Sequence, residues 1–269
     1  TYDLKPYDKE NNPYQTDIGS KTNVYFNLAF LLYYKLSETI DLDLGVSLAH
    51  YSNGRMFTPQ AGVNPVAINL GVKYNFNPIG NYTRKTDPDY KPNRRPEFIK
   101  SEWPEFNPHH ELTFMAALGT VQTPDDRNDK DDGLRYMTSS MSADWAYQFA
   151  RKMNAGAGLD VFYDGSLVEW YPDWTDDYVY SDYTVLERMS IGVHGGFQYQ
   201  MERFSFLYNF GVYIYKESPA RGAWYMRAGG RIQLTENLYA HVVLKTMNGG
   251  KSDWIEWGMA YRLKVGNKQ

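Results

Sequence analysis

Apolar and polar residues alternate at every second position over stretches of about ten residues, from one end of the chain to the other. This limits its fold more than any other feature. Val24, Phe26, Leu28, Phe30, Leu32 and Tyr34 share one parity, opposite Asn23, Tyr25 and Asn27. Val66, Ile68, Leu70, Val72, Tyr74 and Phe76 oppose Asn69, Lys73 and Asn75, and Phe204, Phe206, Tyr208, Phe210, Val212 and Ile214 form the cleanest run. Side chains of a strand point to opposite faces in turn, so each stretch is a strand with one apolar face. A strand of about 9–11 residues crosses a bilayer when tilted, whereas a helix needs about 20 apolar residues in a row, a run this chain lacks. The mean hydropathy of −0.60 resembles that of a water-soluble protein. In a membrane barrel the alternation itself produces such a value, because lumen-facing residues and loops are polar.

Eight strands are predicted in the second part of the chain, over 109–121, 134–149, 153–164, 185–200, 203–216, 222–234, 237–247 and 252–264. Three more are predicted before them, over 22–35, 39–51 and 63–76. Connections alternate in length. Ser37-Glu38, Arg151-Lys152, Met201-Glu202 and Thr235-Glu236-Asn237 are tight turns, and 52–62, 122–133, 165–184, 217–222 and 247–251 are longer polar loops. Outer-membrane barrels have this asymmetry, with short periplasmic turns and long external loops. Residues 77–108, with Pro78, Pro88, Pro92, Pro96, Pro104 and Pro108 among charges, have linker composition and join two periplasmic ends. The expected fold is all-β: an antiparallel transmembrane β-barrel of eight strands over 109–269, preceded by the last three strands of another barrel within 1–76. Three strands cannot close and eleven is an odd total for a bacterial barrel, so the alternatives are strands upstream of Thr1 or one larger barrel with a further strand. Thr1-Tyr2-Asp3 has no basic and apolar leader, and any leader is expected to lie outside this sequence. A faint internal echo pairs Leu36-Ser-Glu-Thr-Ile40 with Leu234-Thr-Glu-Asn-Leu238, each followed by an alternating strand and an Asn-Gly.

Composition narrows the function classes. The chain has no cysteine, which removes disulfides and thiolate metal sites, and a net charge of −4 without a basic block argues against nucleic acid as a partner. Aromatic residues make up 16% of the chain and 24 residues are Tyr, a side chain suited to interfaces with one apolar and one wet side. No cofactor or metal is expected. His109-His110 reads as an interfacial pair at a strand entrance rather than a metal site. His194 and His241 have lumen parity and read as hydrogen-bonded fillers of the barrel. The run from Asp125 to Gly133 lacks the ordered ligand spacing of a calcium loop and reads as a solvated loop, with cations bridging lipopolysaccharide phosphates as the alternative. The loop from Asp164 to Asp182, with Glu169, Trp170, Trp174, Asp176, Asp177, Tyr178 and Tyr180, is acidic and aromatic and reads as a structural external loop. Glu256 has lumen parity and is expected to pair with a basic lumen residue such as Lys245 or Arg262.

The strand starting at Ile40 carries the chemistry. Ile40, Leu42, Leu44, Val46, Leu48, His50 and Ser52 share its apolar face, so a histidine and a serine stand two apart where lipid would lie. Ser-Asn-Gly at 52–54 is also ordinary turn chemistry. The segment His50-Tyr51-Ser52-Asn53-Gly54, followed by Pro59-Gln60-Ala61-Gly62-Val63-Asn64, resembles the lipid A 3-O-deacylase family and acyloxyacyl hydrolase-like proteins over about residues 22–76. That family carries a His-x-Ser-Asn motif, a Pro-Asn-x-Gly-like loop and an acidic residue fourteen positions after the histidine. The resemblance implies Ser52 as nucleophile on an ester of lipid A, His50 as its general base, and Asn53 or its backbone N–H with Gln60 as oxyanion donors. Here Gln60 replaces the usual Asn, and Asn64 stands where the acid should be. By parity Asn64 faces His50 across the hairpin, where an amide can orient the imidazole without stabilising its charged form. The resemblance further implies the bacterial outer membrane, lipid A or lipopolysaccharide as the molecule bound, and a membrane lipid environment. A non-catalytic barrel that anchors or accompanies other outer-membrane proteins is the alternative function.

Overall fold

The computed structural model describes residues 5–8, 10–15, 17–37, 39–58, 61–76, 105–122, 135–172, 178–218 and 222–265. The chain divides into two compact units. One comprises residues 22–52 and 61–105, and the other comprises residues 1–21, 53–60 and 106–269.

The smaller unit holds a three-stranded antiparallel sheet: β1 (Val24–Lys35), β2 (Ile40–Ser52) and β3 (Val66–Tyr74), in that order. The turn between β1 and β2 is fixed by Ser37, whose Oγ accepts the Ile40 N–H at 3.0 Å while Leu36 and Ser37 donate to the Ile40 carbonyl. One face is apolar and, among the described residues, largely exposed; Val66, Ile68 and Leu70 are each at least 75% exposed. A contiguous apolar face of this size is stable against hydrocarbon and not against water. The opposite face is polar and bonded across strands, with Asn69 donating to Ser47 and Asn75 to Asp41, both at 2.9 Å.

The larger unit contains a closed barrel. Its strands are β4 (His109–Gln122), β5 (Arg135–Ala150), β6 (Met153–Asp164), β9 (Met189–Met201), β10 (Phe204–Lys216), β11 (Trp224–Gln233), β12 (Leu238–Met247) and β13 (Lys251–Val265). Every neighbouring pair is antiparallel, and pairing of β13 with β4, from Trp257 opposite Leu118 to Val265 opposite His110, closes the ring. Closure leaves no strand edge in the membrane. The eight strands are those expected from the alternation. The expected loop 165–184 differs, since β7 (Val168–Pro172) and β8 (Tyr178–Asp182) pair as a short hairpin within it. The larger single barrel is also set aside, because β1–β3 form a sheet of their own.

The barrel interior is lined with paired charges. Arg227 bridges two carboxylates, donating to Glu256 Oε2 at 2.9 and 3.0 Å and to Asp160 Oδ1 at 2.8 Å. Asp160 also accepts from Tyr225 and lies 2.6 Å from His194 Nδ1. Arg231 donates to His241 Nδ1, which leaves His241 Nε2 to donate to Glu256. Lys245 pairs with Asp253 and lies 4.2 Å from the Trp254 ring and 4.5 Å from that of Phe162. Arg262 donates to Gln198 and faces Glu111, which accepts from Asn154. Glu256 thus pairs with a basic lumen residue as expected, Arg227, and with His241 of the adjacent strand, while Lys245 and Arg262 take other partners. His194 and His241 are hydrogen-bonded inside as their parity implies. His109 faces Glu111, whereas His110 stacks on Trp145 outside, with ring centres 5.2 Å apart. A buried charge without a partner is costly, and these pairings spare the lumen charges that cost.

Candidate functional site

The constellation around His50 is built by register. Leu48 lies opposite Val66, and beyond β3 the same ladder continues, with Tyr51 and Val63 exchanging two backbone bonds of 2.9 Å. Pro65 interrupts the strand between them because it has no N–H to donate; its carbonyl still accepts the Ala49 N–H at 3.0 Å. With this register His50 faces Asn64 and Ser52 faces Gly62. On the other side His50 faces Phe26, and Ser52 faces Val24. Because Tyr51–Val63 is a hydrogen-bonded pair, its neighbour His50–Asn64 is of the non-hydrogen-bonded kind, in which side chains stand closest.

His50 Nδ1 lies 2.5 Å from Asn64 Oδ1. An amide oxygen only accepts, so Nδ1 donates the hydrogen, which in the neutral imidazole makes Nε2 the acceptor nitrogen. Asn64 is exposed, His50 is half-buried and Ser52 is buried, at 7%. Gly62, opposite the serine, is required on two grounds. Its φ is +71°, and a methyl there would lie 2.8 Å from the Tyr51 carbonyl, 3.2 Å from Ser52 Cβ and 3.4 Å from His50 Cε1. The glycine thus keeps the strip beside the histidine and serine clear. Among the described residues of this unit, these four form two adjacent rows on the apolar face: His50 beside Asn64, and Ser52 beside Gly62.

The remaining predicted site residues fall elsewhere. Asn53 belongs to the barrel unit and is 1% exposed, with Oδ1 unbonded; Gln60 lies outside the described residues, as do Asp125–Gly133 and residues 77–104 of the Pro-rich segment. Only Asp144, Asp160 and His194, among the described residues, bring ligand atoms within 4.8 Å of one another. Asp160 is already saturated there by Arg227, Tyr225 and His194, so the trio serves as part of the ion-pair core. Gly62 was not predicted as a site residue; a glycine two residues before the Asn that faces His50 is the signal for it.

Residues 110–265, more than half of the chain, match the model of the acyloxyacyl hydrolase C-terminal domain, PagL_C, and residues 5–73 match that of lipid A 3-O-deacylase, PagL. None of the curated proteins matches the chain. Solved structures with some likeness include the Salmonella typhi OmpF complex with daunomycin, at 11% identity and a TM-score of 0.23, covering 90% of this chain and 91% of that one. The Ralstonia pickettii toluene transporter TbuX shares 10% identity at a TM-score of 0.25, over 91% of this chain and 69% of that one. The Pseudomonas putida toluene transporter TodX also shares 10% at 0.25, over 88% and 67%. Scores of this size do not mark a shared topology. The family matches, the closed barrel and its outward apolar belt identify a protein of the bacterial outer membrane. The chain belongs to the family of the acyloxyacyl hydrolase C-terminal domain, and its first part is similar to lipid A 3-O-deacylase.

Proposed function

We propose that this protein is an outer-membrane serine esterase that removes an ester-linked acyl chain from lipid A at the outer leaflet. The observation that carries the reading is the His50–Asn64 contact of 2.5 Å on the apolar face, two residues along the strand from Ser52. His50 Nε2 takes the hydroxyl proton of Ser52 as Oγ attacks the ester carbonyl. The tetrahedral adduct collapses, the sugar alkoxide leaves with the proton from His50, and the acyl chain is held on Ser52. Water, activated by the same histidine, releases the fatty acid and restores the serine. Asn53, through its backbone N–H or side chain, and Gln60 are the proposed oxyanion donors. Asn64 acts by orienting the imidazole.

The domain reading follows the same logic. In hydrocarbon an unpaired strand edge leaves N–H and C=O groups without partners, so β1–β3 are read as the closing strands of a lipid A deacylase-like barrel within 1–76. Residues 77–108 are read as the periplasmic linker and 109–269 as the second barrel. Asn64 in the acid position favours a second reading, a non-catalytic barrel that anchors or accompanies surface proteins.

The test expresses wild type, Ser52→Ala and His50→Ala in the same outer membrane and weighs the extracted lipid A by mass spectrometry. Loss of one acyl chain with wild type, and with neither variant, is expected. Identical lipid A in wild-type and empty-vector cells overturns the esterase reading. Co-purification of stoichiometric protein partners in that case selects the accessory reading.

A further inference from the structure

The outer wall of the barrel is hollowed at the end with the short turns, where β10, β11 and β12 run side by side. Tyr225, Arg227 and Arg231 of β11 are buried in the lumen, so Met226, Ala228, Gly230 and Ile232 face outward. Two of these four carry almost no side chain. Register sets Gly230 between Phe206 of β10 and Val242 of β12, and Ile232 between Phe204 and Ala240. These six residues line an apolar groove of about 310 Å³. Its flanking strands are two spacings apart, about 9–10 Å, which leaves room for one hydrocarbon chain between their side chains. A methyl on Gly230 would lie 2.7 Å from Phe204 Cε2, so the ring forms one edge of the groove. Farther from the turns the Tyr208 hydroxyl donates to Met226 Sδ at 3.0 Å and bridges β10 to β11.

The position of the groove determines what fills it. A cleft lined by apolar side chains does not hold water, which needs two to four polar partners, and an empty one forfeits contacts on its open side. In a wall that faces hydrocarbon, the occupant is an acyl chain. Phe206 stands two residues into β10, about 7 Å along the strand, well within the ~15 Å half of the hydrocarbon core at the periplasmic, short-turn end. A lipid with its chain there has its headgroup at the turns 201–204 and 233–238, which the Gln233 N–H joins by donating to the Arg203 carbonyl at 2.7 Å. Glu202 and Arg203 lie in the first turn and Glu236 in the second. All three are exposed, and their charged groups have no ion-pair partner among the described residues. One guanidinium for a phosphate, with carboxylates beside it for an ammonium, complements a zwitterionic headgroup; an anionic headgroup meets a net negative rim.

We propose that this groove is a binding site for a phospholipid of the periplasmic leaflet with an amine headgroup, of the phosphatidylethanolamine type. One acyl chain lies over Gly230 and Ala240, the phosphate meets Arg203, and the ammonium meets Glu202 or Glu236. The site lies wholly within the barrel unit and is independent of the esterase reading.

The test is native mass spectrometry of the full chain, released from detergent micelles titrated with phosphatidylethanolamine or with phosphatidylglycerol of the same acyl chains. Wild type is expected to retain one phosphatidylethanolamine and to bind it about tenfold more tightly than phosphatidylglycerol. Gly230→Leu and Ala240→Leu fill the groove and are expected to weaken that binding at least about tenfold, and Arg203→Ala to weaken it about fivefold. Migration on unheated gels shows which variants have folded, and Arg203→Ala, in an exposed turn, decides if the groove variants have not. No retained lipid in wild type, or retention unchanged in the folded variants, overturns the site. Equal binding of the two lipids, unmoved by Arg203→Ala, overturns the headgroup assignment. A dimer in place of the lipid-bound monomer, lost in Gly230→Leu, overturns the lipid site by making the groove an interface between copies.

Discussion

Replacing Asn64 by aspartate restores the charge that the resemblance leads one to expect, and its effect can be worked from the site. The residue is in place already, with Oδ1 2.5 Å from His50 Nδ1, so Asn64→Asp changes charge with almost no change in shape. The charge matters only once His50 has taken the serine proton, so it lowers the barrier and leaves substrate binding alone. A carboxylate about 4 Å from the centre of an imidazolium gains about 1 kcal/mol in water and ~4 kcal/mol at an effective dielectric constant of about 20. Asn64 is exposed and His50 half-buried, so the lower part of that range applies. About 1–2 kcal/mol is roughly a five- to thirtyfold rise in kcat. Initial rates of fatty acid release from lipid A in vesicles measure it, with Asn64→Ala as the control expected to fall below wild type by losing orientation. If Asn64→Asp is folded and turns over no faster than wild type, Asn64 is not the partner of a histidine that becomes charged, and the triad reading is wrong.

Two further outcomes follow from the packing. Gly62→Ala forces an L-residue to a φ of +71° and sets a methyl 2.8 Å from the Tyr51 carbonyl, at a strain of about 1–2 kcal/mol; fatty acid release should fall at least tenfold while barrel migration on unheated gels stays normal. A Gly62→Ala enzyme with wild-type turnover would show that the space opposite Ser52 is not used. Arg227→Ala leaves Asp160 and Glu256 facing each other without their shared cation, and unfolding in urea should show about 3–5 kcal/mol lost. A midpoint within experimental error of wild type would mean that the lumen readily rearranges or hydrates.

Most of the fold could be read from the sequence because period two encodes it directly. Each long strand carries enough alternating residues to fix its length and its faces, and the same parity put His194 and His241 inside and His50, Ser52 and Asn64 outside. The hairpin β7–β8 escaped because five-residue strands in an acidic, aromatic loop offer too few alternations. Parity also fails to say which lumen charges meet. Glu256 and Arg227 lie on β13 and β11, which are not neighbours, and their contact depends on reach across the lumen. The His50–Asn64 pair was legible because a hairpin with a constant register converts spacing into proximity.

The placement of His50 and Ser52 on the apolar face has a kinetic consequence. On the proposed function, a site there opens sideways into the leaflet, so its substrate arrives by lateral diffusion and never as a solute. On the proposed function, the quantity that saturates such an enzyme is the mole fraction of lipid A in the surface around it. Adding inert lipid at constant total lipid A would then slow turnover as surely as removing substrate, and enrichment of lipid A in one patch of membrane would speed it. The enzyme would in this way read the local make-up of the outer leaflet.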